Sequence, residues 1–144
     1  MKIDRNAEAL WLGGLKDGHG ALTTPSGVLK ATPYAFKTRF ESEPGTNPEE
    51  LLAAAHAGCF SMAVSAQLSG AGIQPERIHT TATITLEKLE SGFAITRSAL
   101  DLHAKVPGID PARFEELALA AKSGCPVSKL YNTEITLAIH LDNA

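Results

Sequence analysis

Two cysteines, Cys59 and Cys125, stand 66 positions apart in a chain of 144 residues. They are the side chains best suited to covalent chemistry, since a low-pKa thiolate beside a resolving thiol is the arrangement of peroxide-reducing and redox-sensing sites. Cys59 lies in "NPEELLAAAHAGCFSMAVSAQLSGAG", where no charged residue occurs from Leu51 to Leu68. Free cysteine in such a setting ordinarily acts as a small buried hydrophobe. A mid-helix position also draws little from the helix dipole, so a reactive Cys59 must borrow a cation from another element. Cys125 follows Gly124 and precedes Pro126, at a helix start or tight turn where the dipole favours thiolate. No C-x-x-C is present, which removes a thioredoxin-type motif. His56 opens a second possibility, because His56 and Cys59 share a helical face and Cys125 could join them around a metal ion. A structural zinc site takes four protein ligands. No fourth is evident, since His19, His79, His103 and His140 lie singly along the sequence. The expectation is therefore no metal and no cofactor, with His56 a core or interface histidine.

The elements that must position the thiols can be read from period and punctuation. Asn47 is an N-cap candidate, Pro48 fits the first helical position, and Glu50 has capping-box spacing. Glu49 and Glu50 suit the positive end of the dipole. The helix should run to about Leu68 with Gly70 as its stop. Short strands precede it: "ALWLG", "GALTTPSGVLK" and "YAFKTRFES", the last with Tyr34, Phe36, Thr38 and Phe40 alternating with Ala35, Lys37, Arg39 and Glu41. Arg39 then falls on the polar, solvated face of a strand. "IHTTATITLEKLESGFAITRSALDLHAKV" reads as a hairpin turning at "ESG". Asp110-Pro111 starts a second helix with an apolar stripe at Phe114, Leu117, Leu119 and Ala121. Gly124 ends it, "PVSKLY" is a short further turn or helix, and "TEITLAIHL" is a final strand. The class is α+β with antiparallel sheets, in one domain over residues 1–144.

Composition narrows the classes of function. The net charge is −3 and the pI about 5.9, with basic residues scattered singly, so neither a nucleic-acid footprint nor an anionic-membrane patch is expected. "MKIDRNAEALWLGG" has no apolar h-region, so a secretory signal is not expected and a cytoplasmic location is the default. There thiols stay reduced and a disulfide is transient rather than structural. The uncharged stretch is near the minimum length of a membrane span. Its alanine content, His56, Ser61, Ser65 and Gln67 favour a core helix instead. Its apolar residues go all round, so one sheet cannot cover it; a second copy of the chain is expected to do so, as an obligate homodimer.

"GTNPEELLAAAHAGCFSMA", followed much later by "AKSGCPVS", resembles the OsmC/Ohr family of organic hydroperoxide reductases. "GVLKATPYAFKTRFE" and "VPGID" resemble its OsmC branch, and the likeness extends from "WLGGLKDGHG" to "EITLAIHLD". The resemblance implies an intertwined homodimer, antiparallel sheets wrapped around long central helices, and active sites at the subunit interface. It implies a peroxidatic cysteine at Cys59 and a resolving cysteine at Cys125. An arginine at Arg39 would stabilise thiolate and peroxide, and Glu49 would orient it, with Glu50 the less suited neighbour. The Ohr branch takes its arginine from nearer the N-terminus, where Arg5 is an imperfect match.

Ten residues before Cys59, Glu49 lies roughly 15 Å away along a straight helix and about 80° round it, and Glu50 is on the opposite face at about 180°. Neither reaches Cys59 directly, so Glu49 is expected to serve a partner chain's site or to act through Arg39. The implied activity is reduction of an organic hydroperoxide through a Cys59 sulfenic acid and a Cys59–Cys125 disulfide. An external dithiol, of the lipoylated-protein type, would then recycle the pair. The competing readings are a dimer that senses peroxide and one that binds a metal through His56, Cys59 and Cys125.

Overall fold

The computed structural model describes residues 1–143 as two compact units, residues 1–51 and residues 52 onward. In the first, β1 (Glu8–Leu12), β2 (His19–Thr23) and β3 (Thr32–Tyr34) form an antiparallel sheet in that order. Gly20 is required there by close approach. A Cβ at Gly20 would meet the Tyr34 ring at 2.5 Å and the Trp11 ring at 2.7 Å. Its absence lets those two rings meet edge to face at 5.4 Å.

The third strand is shorter than its alternation implies, and this corrects the expectation for Arg39. Residues Phe36–Phe40 form a one-turn helix, α1. Thr38 holds it, since its hydroxyl accepts from Ala35 N–H and donates to Ala35 C=O, both at 2.9 Å. The pattern misleads because Phe36 and Phe40 are four apart, a spacing that fits a strand face and a helix face alike. In the helix their rings pack 4.8 Å apart.

The long helix α2 (Pro48–Gly70) starts as its sequence implies, with Asn47 Oδ1 accepting from Glu50 N–H at 2.8 Å. The Glu50 carboxylate accepts from Thr46 at 2.8 Å rather than closing a capping box. Its end differs from expectation. Gly70 is still helical, and the cap is Gly72 at φ +74°. Gly72 N–H bonds Ser69 C=O at 3.0 Å and Ile73 N–H bonds Leu68 C=O at 2.9 Å, a Schellman motif. Ile73 then packs on the core beside Leu68.

In the second unit, β4 (Arg77–Leu89) and β5 (Gly92–Lys105) form the long hairpin, with a register shift at Thr85/Leu86. Helices α3 (Pro111–Gly124) and α4 (Pro126–Leu130) follow, and β6 (Glu134–Leu141) returns beside β5. It runs parallel to β5, so this sheet is mixed where antiparallel pairing was expected. A helical crossover makes the parallel return possible. Every second residue of β5 from Ser98 to Ala104 is buried. Against that face lie His56, Phe60, Val64 and Leu68, one per helical turn of α2 and all fully buried. Helix α3 is N-capped by Asp110 and adds Phe114, Leu117, Ala118 and Ala121. Leu119, expected in that stripe, is 45% exposed, and Ala118 takes its place.

Candidate active site

The four residues singled out in the sequence form two pairs, one in each unit. In the first unit, α1 presents Arg39 and the first turn of α2 presents Glu49. The guanidinium donates from Nη2 to Glu49 Oε1 at 2.8 Å and from Nε to Oε1 at 3.1 Å and Oε2 at 3.3 Å. A forked pair of this kind fixes orientation as well as charge. Glu49 is 8% exposed, while the Arg39 side chain keeps 37% exposure. Glu49 thus reaches the arginine of its own chain, whereas Glu50 turns to Thr46. Asn47 Nδ2 ties the start of α2 to α1 by donating to Thr38 C=O at 3.1 Å. Beside Arg39 is a cavity of about 250 Å³ lined by Trp11, Leu15, Tyr34, Phe36 and Phe40. The sequence reading missed this aromatic wall; the recurrence of aromatics at 34, 36 and 40 was its signal.

In the second unit the thiols lie 2.9 Å apart. That is too long for a bond, and both are free. Cys59 is partly exposed and Cys125 fully buried. Cys125 closes α3 with its N–H on Ala121 C=O at 2.9 Å and opens α4 with its C=O accepting from Lys129 at 3.1 Å. Burial pushes the Cys59 thiol up, and its hydrogen bond with Cys125 acts the same way. Burial also acts upward on Cys125, yet its thiol is held below the ordinary value. The contact with Cys59 and hydrogen bonds from the N–H and hydroxyl of Ser128 and the N–H of Val127 stabilise its anion. Burial, then the negative charge of the thiolates, raises the nearby Tyr131 phenol, whose hydroxyl donates to Leu52 C=O at 2.7 Å. The enclosed thiol is thus the more acidic and the accessible one the less.

His56 is committed elsewhere than to a metal. Its Nδ1 meets Ser98 Oγ at 2.6 Å and its Nε2 meets Ser128 Oγ at 2.8 Å. Burial lowers its pKa, so it stays neutral. Nothing in the sequence pattern marked Ser98 or Ser128.

Among the described residues, Asp101, His103 and His140 bring potential ligand atoms within 4.8 Å. His103 and His140, expected to lie singly, are instead brought together by strand pairing, which stacks their rings 4.2 Å apart. These donors already satisfy one another, His140 with Asp101 at 2.8 Å and His103 with Asp142 at 3.1 Å.

Comparison with known proteins adds to this geometry. The family model described as OsmC-like protein matches residues 40–140. Peroxiredoxin OsmC of Escherichia coli (strain K12) is 52% identical over 141 residues, covering 98% of this chain and 99% of that protein. Organic hydroperoxide resistance protein OhrB of Bacillus subtilis (strain 168) is 28% identical over 123 residues, covering 85% and 88%. The crystal structure of an organic hydroperoxide resistance protein OsmC from Legionella pneumophila is similar with a TM-score of 0.70 at 27% identity, covering 97% of this chain and 100% of that one.

Proposed function

As the chain belongs to the OsmC-like family, we propose that it is a thiol peroxidase that reduces organic hydroperoxides to alcohols. The observation that carries this reading is the pair of unbonded thiols 2.9 Å apart, one partly exposed and one enclosed. Accessibility assigns the roles. Peroxide can reach Cys59, so Cys59 attacks; Cys125, fully buried, resolves.

The Cys59 thiolate attacks the hydroxyl-bearing oxygen of R–O–OH. The O–O bond breaks, RO⁻ takes a proton and leaves as the alcohol, and Cys59 becomes a sulfenic acid. Because Cys59 holds its proton in the isolated chain, this step needs a cation. In this reading Arg39, held by Glu49, is that cation, stabilising the thiolate and the charge developing on the oxygens. The aromatic cavity beside Arg39 suits the organic group, which favours alkyl and aryl peroxides over hydrogen peroxide. Cys125 then condenses with the sulfenic acid to a disulfide and water, and an external dithiol, of the lipoylated-protein type, restores both thiols by exchange.

The working form is a homodimer of one OsmC-like domain per chain, residues 1–144, in the cytoplasm. Helix α2 supports the dimer: only 22% of its most apolar 18-residue window is buried, and Met62 is 76% exposed. By length and composition alone α2 could cross a membrane. Its buried stripe, with His56 satisfied by two serines, is that of a core helix. Single-turnover consumption of cumene hydroperoxide tests the reading. The reduced protein should consume one equivalent per chain faster than hydrogen peroxide, and a protein that consumes neither overturns it.

A further inference from the structure

The sheet of the second unit has a face that the chemistry proposed above leaves unused. Along β5, Ser98, Leu100, Leu102 and Ala104 are buried on one side, so Asp101 and His103 point to the other. Strand register sets His140 of β6 directly beside His103. The backbone is held there: Asp142 N–H donates to Ala104 C=O at 2.7 Å, and the Asn143 side chain bonds both the N–H and the C=O of Val106 at 2.8 Å. The Asp101 carboxylate faces Nε2 of both histidines, with Oδ1 at 2.8 Å from His140 and Oδ2 at 3.4 Å from His103. His103 Nδ1 meets Asp142 Oδ2 at 3.1 Å, and Arg77 Nη2 lies 3.5 Å from the same oxygen. Neutral imidazole has one N–H and one lone pair. The closer carboxylate, Asp142, takes the N–H of His103, so its Nε2 turns a lone pair toward an Asp101 oxygen. Two acceptors then face each other, a contact that a cation between them relieves. An imidazole with a carboxylate behind one nitrogen and a lone pair on the other is also how a metal-ligating histidine is held.

We infer that Asp101, His103 and His140 form a site for a divalent transition metal of the zinc type, with Asp142 orienting His103 from behind. Two imidazoles and a carboxylate suit zinc, copper or nickel, whereas magnesium and calcium take oxygen donors. With metal–donor distances of about 2.0–2.1 Å, tetrahedral donors stand about 3.3–3.4 Å apart. The His103–Asp101 contact, at 3.4 Å, already has that spacing. The His140–Asp101 contact opens by about 0.5 Å to reach it. On binding, the single proton of neutral His140 moves from Nε2 to Nδ1, which frees Nε2 for the metal. The two rings, stacked 4.2 Å apart, tilt out of the stack toward the ion, and the partial exposure of both side chains leaves room for this. Three protein donors leave the fourth position to water. A metal so held clamps the parallel pair β5 and β6 together. The site is independent of the peroxidase reading, since it uses neither thiol and neither Arg39 nor Glu49.

The test is calorimetric titration of Zn²⁺ into the metal-free Cys59→Ser/Cys125→Ser chain without a histidine tag, so that neither thiol competes for the ion. One equivalent should bind per chain, and the unfolding temperature should rise with Zn²⁺ concentration. His140→Ala should abolish both effects. Asp101→Asn, which keeps the size of the side chain, should do the same and decides the matter even if His140→Ala fails to fold. Asp142→Asn should weaken binding by about 10–100-fold, the usual loss when the partner behind a ligating histidine is removed. An unchanged affinity in that variant overturns the role of Asp142. No binding of Zn²⁺, binding that survives Asp101→Asn undiminished, or displacement of Zn²⁺ by an equal concentration of Mg²⁺ overturns the site itself. Failure of the wild-type chain to consume cumene hydroperoxide would overturn the peroxidase reading and leave this result standing.

Discussion

The two units solve opposite electrostatic problems. In the first, a buried carboxylate holds an exposed cation: Glu49 locks Arg39 by three hydrogen bonds, with the aromatic wall beside them. In the second, two thiols lie among apolar side chains. The groups acting on Cys59 are its own burial, Cys125 and the N–H of Val127. The first unit has a fixed cation and no thiol; the second has two thiols and favours charge on the enclosed one, Cys125. The uncharged run of the long helix, Leu51 to Leu68, thus holds its thiol without a cation of its own. Glu49 fixes the direction of the arginine within the first unit.

The largest effect expected is from Cys59→Ser, which should abolish hydroperoxide reduction in a single-turnover assay while leaving the Arg39–Glu49 pair intact. Cys125→Ser should complete one turnover and then stop under steady-state conditions with a dithiol. Arg39→Gln should lower kcat/KM by about 10²–10³-fold, the size expected for losing one preorganised charge-stabilising donor. It should also move the rising limb of the pH–rate profile upward, because a cation favours thiolate and its loss returns Cys59 to the raised value set by burial. Glu49→Gln keeps the cation and loosens its aim, so a smaller loss, roughly 10–100-fold, is expected. Equal losses for Arg39→Gln and Glu49→Gln would break the comparison, since they would make orientation the whole of the arginine's contribution. The smallest effect is structural: Asp110→Ala removes the α3 cap that leads to Cys125 and should cost about 1 kcal/mol in denaturant unfolding.

Much of the positioning was legible in the sequence where the signals are local. Asn47, Pro48 and Asp110 act as caps and first-turn residues in the structure, and the long hairpin turns at Glu90 and Ser91, with Gly92 already in β5. What was missed depends on contacts that no local pattern encodes. The aromatics of "YAFKTRF" alternate as in a strand, and only the double bond of Thr38 to Ala35 shows that the backbone turns instead. The parallel return of β6 is set by the crossover of α3 and α4, a topological fact rather than a periodic one. The cysteine pair was marked by its chemistry, while the roles of Arg39 and Glu49 came through family resemblance, because pattern alone leaves Arg39 a solvated residue. Ser98 and Ser128 carried no signal: each is an ordinary serine until β5 and α4 bring it to His56.

The central claim is that the two thiols of the second unit are one redox couple driven by an organic peroxide. Mass spectrometry after one equivalent of cumene hydroperoxide tests it most directly. The account predicts the loss of two hydrogens per chain and a single disulfide joining the peptides that contain Cys59 and Cys125. Recovery of both thiols unmodified, or a Cys59 oxidised while Cys125 stays free, would contradict it.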